Sequence, residues 1–246
     1  MTLLVTSLSC LLLCAVAAQA ADPATPTGSL TIALAGDSTV QDYPLEIQQR
    51  GWGQVLPRFT APGVVVTNHA AGGRSTSTFR SEGRWDKLLA SKPKVVFIQF
   101  AHNDSHAPDK PEAVEPTKAY PDNLRRYVAE ARAAGALPIL VTPPPRRVFA
   151  ADGAVSVALL PYVTAMRAVA KETATPCVDL FAAGSAELAR RGEAGSAELY
   201  CSPTDRSHFS PLGGLLMARL VAEGLLAQGD AVPHLLAERA QWPLIP

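Results

Sequence analysis

Residues 30–40 read LTIALAGDSTV and place a short apolar run directly before a polar turn. The run at residues 30–35 is apolar at both alternating sets of positions, which is typical of a strand covered on both faces of a parallel sheet. The turn GDST at residues 36–39 follows at once. Ligands of such sheets gather at the carboxyl ends of the strands, so chemistry is expected at this turn.

Four further runs share this apolar, β-branched pattern and predict strands at residues 64–67, 95–100, 137–142 and 177–180. Amphipathic stretches between and after them predict helices at residues 52–59, 79–90, 120–134, 159–172 and 211–227. The alternation of strand and helix predicts right-handed crossovers around a five-stranded parallel sheet. We therefore expect a single α/β domain with three layers, α/β/α, over residues 30–246.

The composition narrows the class of protein. With 246 residues and 48% hydrophobic content, the chain can bury enough surface to fold, which excludes a disordered protein. Its 22 Lys and Arg residues balance 22 Asp and Glu residues. Because no excess of positive charge favours a phosphate backbone, we expect no nucleic-acid partner.

The first twenty residues, MTLLVTSLSCLLLCAVAAQA, form the most apolar stretch and end in the A-x-A pattern of a signal-peptidase site. We predict a secretory signal peptide at residues 1–20 and a flexible lead at residues 21–29. An uncleaved anchor is the alternative, because no Lys or Arg precedes the apolar run. No later segment is long and apolar enough to span a bilayer, so we expect no stable membrane span after cleavage. We expect the mature protein to be a secreted or periplasmic monomer.

Cleavage would remove Cys10 and Cys14 and leave Cys177 and Cys201. A pair of cysteines in an oxidising compartment is a candidate disulfide, although its geometry cannot be judged from sequence. The alternative is two buried thiols that pack as small hydrophobic groups.

Ser38 follows the first predicted strand in the turn GDST. A serine at this edge can present its Oγ as a nucleophile if a base lies within hydrogen-bond reach. Asp205 and His208 are three residues apart ahead of the last helix. The carboxylate can then hold Nδ1 of the imidazole while Nε2 faces Ser38. The alternatives are a plain turn at Ser38 and a capped helix start at Asp205 or Ser210.

A tetrahedral intermediate needs hydrogen-bond donors aimed at its oxyanion. Gly72 and Gly73 follow the second strand, and a glycine lets a bare backbone amide come close to a substrate. Asn103 follows the third strand and can supply a side-chain amide. Taken alone, each of these residues is better explained by ordinary turn chemistry.

The order of these groups along the chain resembles the SGNH (GDSL-type) hydrolase family. The family's four name-giving residues map onto Ser38, Gly73, Asn103 and His208. The strings LAGDSTV, GWG, NHAAGGRSTSTF, VVFIQFAHND and DRSHFSPLGG look like the rhamnogalacturonan acetylesterase branch. The resemblance implies a flavodoxin-like fold and a catalytic triad in which Asp205 orients His208. It also implies an oxyanion hole formed by the amides of Ser38 and Gly73 with the side chain of Asn103.

The chain departs from the family pattern at one place, because Ala101 stands where the third block usually begins with glycine. We expect the additional methyl group to require a different backbone at His102. His102 itself is expected to face the substrate.

The resemblance implies a serine esterase that removes acetyl groups from plant cell-wall polysaccharides or oligosaccharides, with rhamnogalacturonan (pectin) as the first candidate substrate and xylan as the second. The alternatives are a general GDSL-type lysophospholipase or thioesterase and a non-catalytic carbohydrate-binding protein. Arg146 and Arg147 follow the fourth strand, where either can meet a uronate carboxylate; a solvated loop tip is the alternative. We expect no cofactor and no metal, since acyl transfer by serine needs neither and no specific metal-binding spacing is present.

Overall fold

The computed structural model describes residues 30–229 and 235–245 of the 246-residue chain. The predicted signal peptide and the predicted lead lie outside these residues. None of the helices in the described ranges is both long and apolar enough to cross a membrane.

Five parallel strands form one sheet in the order β2-β1-β3-β4-β5. They are β1 (Thr31–Gly36), β2 (Val65–Asn68), β3 (Val95–Gln99), β4 (Leu137–Val141) and β5 (Cys177–Val178). This is the flavodoxin-like order, so the predicted fold class is confirmed. The order reverses between β1 and β3, and at such a switch point the loops after neighbouring strands diverge and leave a crevice for a ligand.

Helices cover both faces of the sheet. They are α1 (Trp52–Val55), α2 (Thr78–Ser81), α3 (Arg84–Ala90), α4 (Ala119–Ala133), α5 (Leu160–Glu172), α6 (Leu180–Gly195) and α7 (Pro211–Leu226). Side chains of α1, α6 and α7 pack against one face, whereas those of α2, α3, α4 and α5 pack against the other.

The alternation of side chains along β1 divides the core between these two layers. Ile32 and Leu34 point into the layer that contains α1 and α7, whereas Ala33 and Ala35 point into the layer that contains α3 and α4. All four are buried, at most 1% exposed. A polar turn that follows β1 is therefore held between two packed layers.

Two predicted elements differ from the structure, and one helix was not predicted. Strand β2 lies at the edge of the sheet, and Val65 is 46% exposed rather than covered on both faces. The helix predicted at residues 79–90 is divided into α2 and α3 at Gly83, which has φ +70°. Helix α6 was not predicted, because its N-cap Asp179 lies inside the apolar run that was assigned to the fifth strand.

The candidate disulfide is absent, because Cys177 and Cys201 are both free thiols. The backbone of Cys177 bonds to the side chain of Gln228, just beyond the end of α7. The amide of Cys201 donates to the carbonyl of His208, just ahead of the start of α7. The 16-residue helix between these points is about 24 Å long, which far exceeds the span of a disulfide.

Candidate active site

Ser38 lies in a tight turn at the carboxyl end of β1. The carbonyl of Asp37 accepts the amides of Val40 and Gln41, both at 3.1 Å, which closes the turn around the serine. Oδ1 of Asp37 accepts the amide of Thr39 at 2.9 Å and its hydroxyl at 2.7 Å. Asp37 is fully buried, so its carboxylate stabilises the turn from inside and leaves Ser38 facing outward.

A buried polar network supports this turn from below. Oε1 of Gln99 accepts the indole N–H of Trp52 at 2.8 Å, and Nε2 of Gln99 donates to Asp37 at 3.4 Å. From the other side, the hydroxyl of Tyr43 donates to the carbonyl of Ser38 at 2.8 Å. Satisfied buried networks of this kind fix one arrangement, so the position of Ser38 is set before a substrate binds.

His208 approaches Ser38 from the segment that precedes α7. An antiparallel bridge between Tyr200 and Phe209 closes this segment into a hairpin. Nε2 of His208 is 3.0 Å from Oγ of Ser38, and Nδ1 is 2.9 Å from Oδ2 of Asp205. With the Nδ1 proton donated to the carboxylate, Nε2 is free to accept the proton of the serine.

Asp205 is held in its charged form. Its Oδ1 accepts the amides of Ser207 at 2.8 Å and His208 at 2.7 Å. Partial burial acts to raise the pKa of Asp205, but these hydrogen bonds and the one to the imidazole outweigh it and lower the pKa to about 2. The three predicted residues thus form one continuous chain of hydrogen bonds from carboxylate to hydroxyl.

Two of the predicted oxyanion donors, Gly73 and Asn103, line the same cavity as Ser38. Gly73 has φ +79°, and a Cβ there would meet nothing within 4 Å, so its glycine is required by the backbone rather than by space. The amide of the neighbouring Gly72 donates to Oε1 of Gln41. Nδ2 of Asn103 donates one hydrogen bond to the carbonyl of Arg74, at 3.0 Å, and has a second proton for an oxyanion.

Asp104 joins the loop after β3 to the loop after β2. Its Oδ1 accepts the amide of Thr76 at 3.0 Å and the hydroxyl at 2.6 Å. The side chain is fully buried, and burial raises the pKa of Asp104 to about 7. Asp104 therefore positions Asn103 and the Gly73 loop relative to each other and does not face the cavity.

The cavity in front of Ser38 has a volume of about 410 Å³. Eleven described residues line it: Ser38, Gln41, Tyr43, Gly72, Gly73, His102, Asn103, His106, Arg146, Ser207 and His208. None of these lining residues has a carboxylate or an aliphatic side chain. Arg146 is the lining residue with a permanent charge. The lining side chains are thus polar or aromatic, and one of them carries a positive charge.

His102 and Arg146 both reach this wall, but most of each is engaged by protein. His102 is only 4% exposed, and its Nε2 donates to the carbonyl of Pro144 at 2.9 Å. Burial lowers the pKa of His102, so the ring is neutral. Nη2 of Arg146 donates to the carbonyl of His102 at 2.9 Å and approaches the hydroxyl of Ser105 at 3.2 Å.

The prediction that Arg147 meets the substrate is wrong. Arg147 is 5% exposed and does not line the cavity. Its guanidinium donates to the carbonyls of Glu193 at 3.0 Å and Pro203 at 3.4 Å, and it lies 5.9 Å from the ring centre of Tyr200. The chain turns tightly at Arg147, which directs this side chain into the fold while Arg146 lines the cavity.

Ala101 has φ +128° and is completely buried. This backbone region favours glycine, which explains why the family pattern has glycine at this place. The strain therefore lies at Ala101 itself, and not at His102 as predicted.

The sequence analysis did not assign His106 to the site, although this residue lines the cavity at its rim. Its Nδ1 is 2.6 Å from Oε1 of Glu112. Glu112 lies in a loop six residues later, and the only available signal was the short sequence distance between the two residues. Within the described ranges, no three His, Cys, Asp or Glu residues come together as a metal site would require.

Comparison with known proteins agrees with this geometry. The model of the GDSL-like lipase/acylhydrolase family matches residues 34–214. The chain is 36% identical over 225 residues to the rhamnogalacturonan acetylesterase RhgT of Bacillus subtilis, which covers 85% of this chain and 95% of the relative. It is 37% identical over 205 residues to the probable rhamnogalacturonan acetylesterase YesY of the same bacterium, covering 80% and 93% of the two chains.

Solved structures show the same fold. The crystal structure of Bacillus subtilis YxiM superposes with a TM-score of 0.73 at 31% identity, covering 84% of this chain and 58% of that one. A catalytic mutant of Axe2, an acetylxylan esterase from Geobacillus stearothermophilus, has a TM-score of 0.65 at 20% identity. The match covers 80% of this chain and 94% of that one. Together with the match over residues 34–214, these findings show that the protein belongs to the GDSL-like lipase/acylhydrolase family, the SGNH hydrolases, and is a carboxylic ester hydrolase.

Proposed function

We propose that this protein removes acetyl groups from a plant cell-wall polysaccharide by a Ser-His-Asp acyl-enzyme mechanism. One observation carries the mechanism: the hydrogen bonds of 2.9 Å and 3.0 Å that join Asp205, His208 and Ser38 in line. A protein that only binds carbohydrate would not need this arrangement.

In the proposed reaction, Oγ of Ser38 attacks the acetyl carbonyl while Nε2 of His208 takes the hydroxyl proton. The oxyanion is stabilised by the amides of Ser38 and Gly73 and by the second Nδ2 proton of Asn103. When the intermediate collapses, the imidazolium returns the proton to the departing sugar oxygen. Water, activated by the same imidazole, then attacks the acetyl-serine and releases acetate. Asp205 stays ionised throughout, since its pKa of about 2 lies far below neutral pH.

The substrate class follows from two kinds of support. Two relatives with 36% and 37% identity bear the name rhamnogalacturonan acetylesterase, one of them as probable. In addition, Arg146 on the cavity wall matches the uronate carboxylates of a pectic backbone, which neutral xylan backbones lack. We therefore propose rhamnogalacturonan as the first candidate substrate and xylan as the second.

A lysophospholipase or thioesterase that prefers long acyl chains is the second candidate. It needs an apolar channel for the acyl chain, and no large aliphatic side chain is among the described residues that line the cavity. This observation favours short acyl groups and keeps acetyl as the first choice.

Acetate release from native acetylated rhamnogalacturonan and acetylated xylan tests the proposal. We expect release from both polymers with a higher kcat/KM on rhamnogalacturonan, and none from the Ser38→Ala variant. A series of 4-nitrophenyl esters from acetate to decanoate should show a steep fall beyond butyrate. Rates that rise with chain length would instead support the lipase-type alternative.

We also propose that residues 1–20 are removed on export and that the mature protein acts as a secreted or periplasmic monomer of one domain. The support is the apolar run and A-x-A pattern of the sequence. N-terminal sequencing of protein recovered from the culture medium and periplasm should find a mature chain that begins at Ala21. A chain that keeps residues 1–20 in the membrane fraction would contradict the proposal.

A further inference from the structure

Cys201 touches the proposed triad from the strand opposite His208. Its amide donates to the carbonyl of His208 at 3.0 Å, within the hairpin that the bridge between Tyr200 and Phe209 closes. Its Sγ lies 3.4 Å from Oδ2 of Asp205. One residue thus contacts both the base and the carboxylate that orients the base.

The hydrogen bonds of Asp205 show what this contact contributes. Oδ1 has two donors, the amides of Ser207 and His208. Oδ2 accepts from Nδ1 of His208 at 2.9 Å, and the thiol of Cys201 supplies a second donor. Without the thiol, the oxygen that faces the imidazole would keep one protein donor, and the carboxylate would be freer to rotate about its last torsion.

The thiol is suited to donate rather than to react. Burial, followed by the hydrogen bond to Asp205 and the charge of that carboxylate, raises the pKa of Cys201 to about 11. The sulfur therefore keeps its proton at neutral pH. A thiol with so little thiolate is a poor nucleophile and a poor target for oxidation, which separates this cysteine from a redox sensor.

We propose that Cys201 is a positioning residue of this esterase, whose S–H bond to Oδ2 holds Asp205, and through it His208, in the geometry for proton transfer. The inference rests on the proposed roles of Ser38, Asp205 and His208. Because a donor to Oδ2 also draws charge away from the imidazole, the thiol moderates how strongly the carboxylate holds a protonated His208.

Other titratable or charged groups near this hairpin are retained in a Cys201 variant. His102 interacts electrostatically with His208 from the loop after β3. Arg147 lies over the ring of Tyr200, and Arg206 is paired with Glu193 at 3.0 Å. A change in the pH profile of a Cys201 variant is therefore attributable to the lost donor.

The test compares Cys201→Ser, which keeps a donor, with Cys201→Ala and Cys201→Val, which remove it; the valine keeps the volume if the alanine variant does not fold. Cys177→Ala is the matched control, since it removes the second free thiol of the described residues, at the far end of α7. For each folded variant, kcat and KM for 4-nitrophenyl acetate and the pH profile of kcat/KM are measured. Melting temperatures monitor structural damage.

We expect the variants without a donor to lose about 3- to 10-fold in kcat with KM unchanged, as for the loss of one weak hydrogen bond. Their acid limb should move to higher pH, because the carboxylate then holds a protonated imidazole more strongly. Cys201→Ser and Cys177→Ala should keep the kcat and the acid limb of the parent protein. Any other pattern overturns the proposal, including equal losses in the serine and alanine variants or an unmoved acid limb. Loss of activity in Ser38→Ala tests the proposed mechanism separately.

Discussion

The carboxyl group of Asp104 makes a quantitative prediction for stability as a function of pH. It is completely buried, one oxygen is bonded to Thr76, and the other has no partner among the described residues. Burial raises the pKa of Asp104 from 3.8 to about 7 in the folded protein. Between these two pH values, the folded state holds a proton that the unfolded chain has released.

This difference in bound protons determines whether Asp104 makes the protein more or less stable as the pH rises. The stabilising contribution of protonated Asp104 is fully present below about pH 4 and is lost as the pH rises through 7. This residue therefore makes the protein less stable at higher pH. At about 1.4 kcal/mol per pH unit, the interval from 3.8 to about 7 amounts to about 4 kcal/mol in the free energy of unfolding. Buried His102 has the opposite sign, since burial lowers its pKa, and the two residues partly offset each other in the parent protein.

A variant isolates the contribution of Asp104. Asp104→Asn removes the titrating group and adds a cost that does not depend on pH. Relative to the parent, its free energy of unfolding in urea should therefore improve by up to about 4 kcal/mol between pH 4 and pH 8. Asp109→Asn, on an exposed carboxylate, is the control and should show a constant difference. A difference between Asp104→Asn and the parent that stays constant across this range, or that moves in the opposite direction, would refute the reasoning.

Three further predictions concern the loops around the cavity. Asn103→Ala should lower kcat for 4-nitrophenyl acetate by about 10²–10³ with little change in KM, because it removes an oxyanion donor; an equal rise in KM would contradict that role. Arg146→Ala should raise KM about 5- to 10-fold on acetylated rhamnogalacturonan but not on acetylated xylan, as expected for one lost charged contact. Equal changes on the two polymers would exclude a contact with uronate. Ala101→Gly should raise the free energy of unfolding by about 1 kcal/mol in urea denaturation, because φ +128° is strained for alanine; a lower value would show that the buried methyl group outweighs the strain.

Most of the fold could be predicted from sequence because buried strands of a parallel sheet are short apolar runs. The apolar pattern of residues 64–67 carries no information about position in the sheet, however, so β2 was expected to be covered like its neighbours. Helix α6 was missed for a related reason. The run CVDL is apolar enough to look like a strand, and only the contact between Asp179 and the amide of Ala182 shows that a helix begins there.

In the candidate site, the sequence predicted the three residues that the structure brings together but not those that hold them in place. Ser38, Asp205 and His208 follow from the order of motifs along the chain. The support given by Gln99 and Trp52 depends on contacts between side chains 47 positions apart, which no local pattern reveals. The error at Arg147 has the same origin, since two adjacent arginines look alike in sequence and only the fold decides which one faces the cavity.

The most direct test of the account is covalent labelling of the nucleophile. The protein is incubated with diethyl 4-nitrophenyl phosphate, and the modified peptide is identified by mass spectrometry while acetate release is followed in parallel. We predict one diethylphosphoryl group on Ser38, loss of activity in proportion to labelling, and strongly slowed labelling in His208→Ala. Stoichiometric labelling of another residue, or a Ser38→Ala variant that is still labelled and still active, would contradict the central claim.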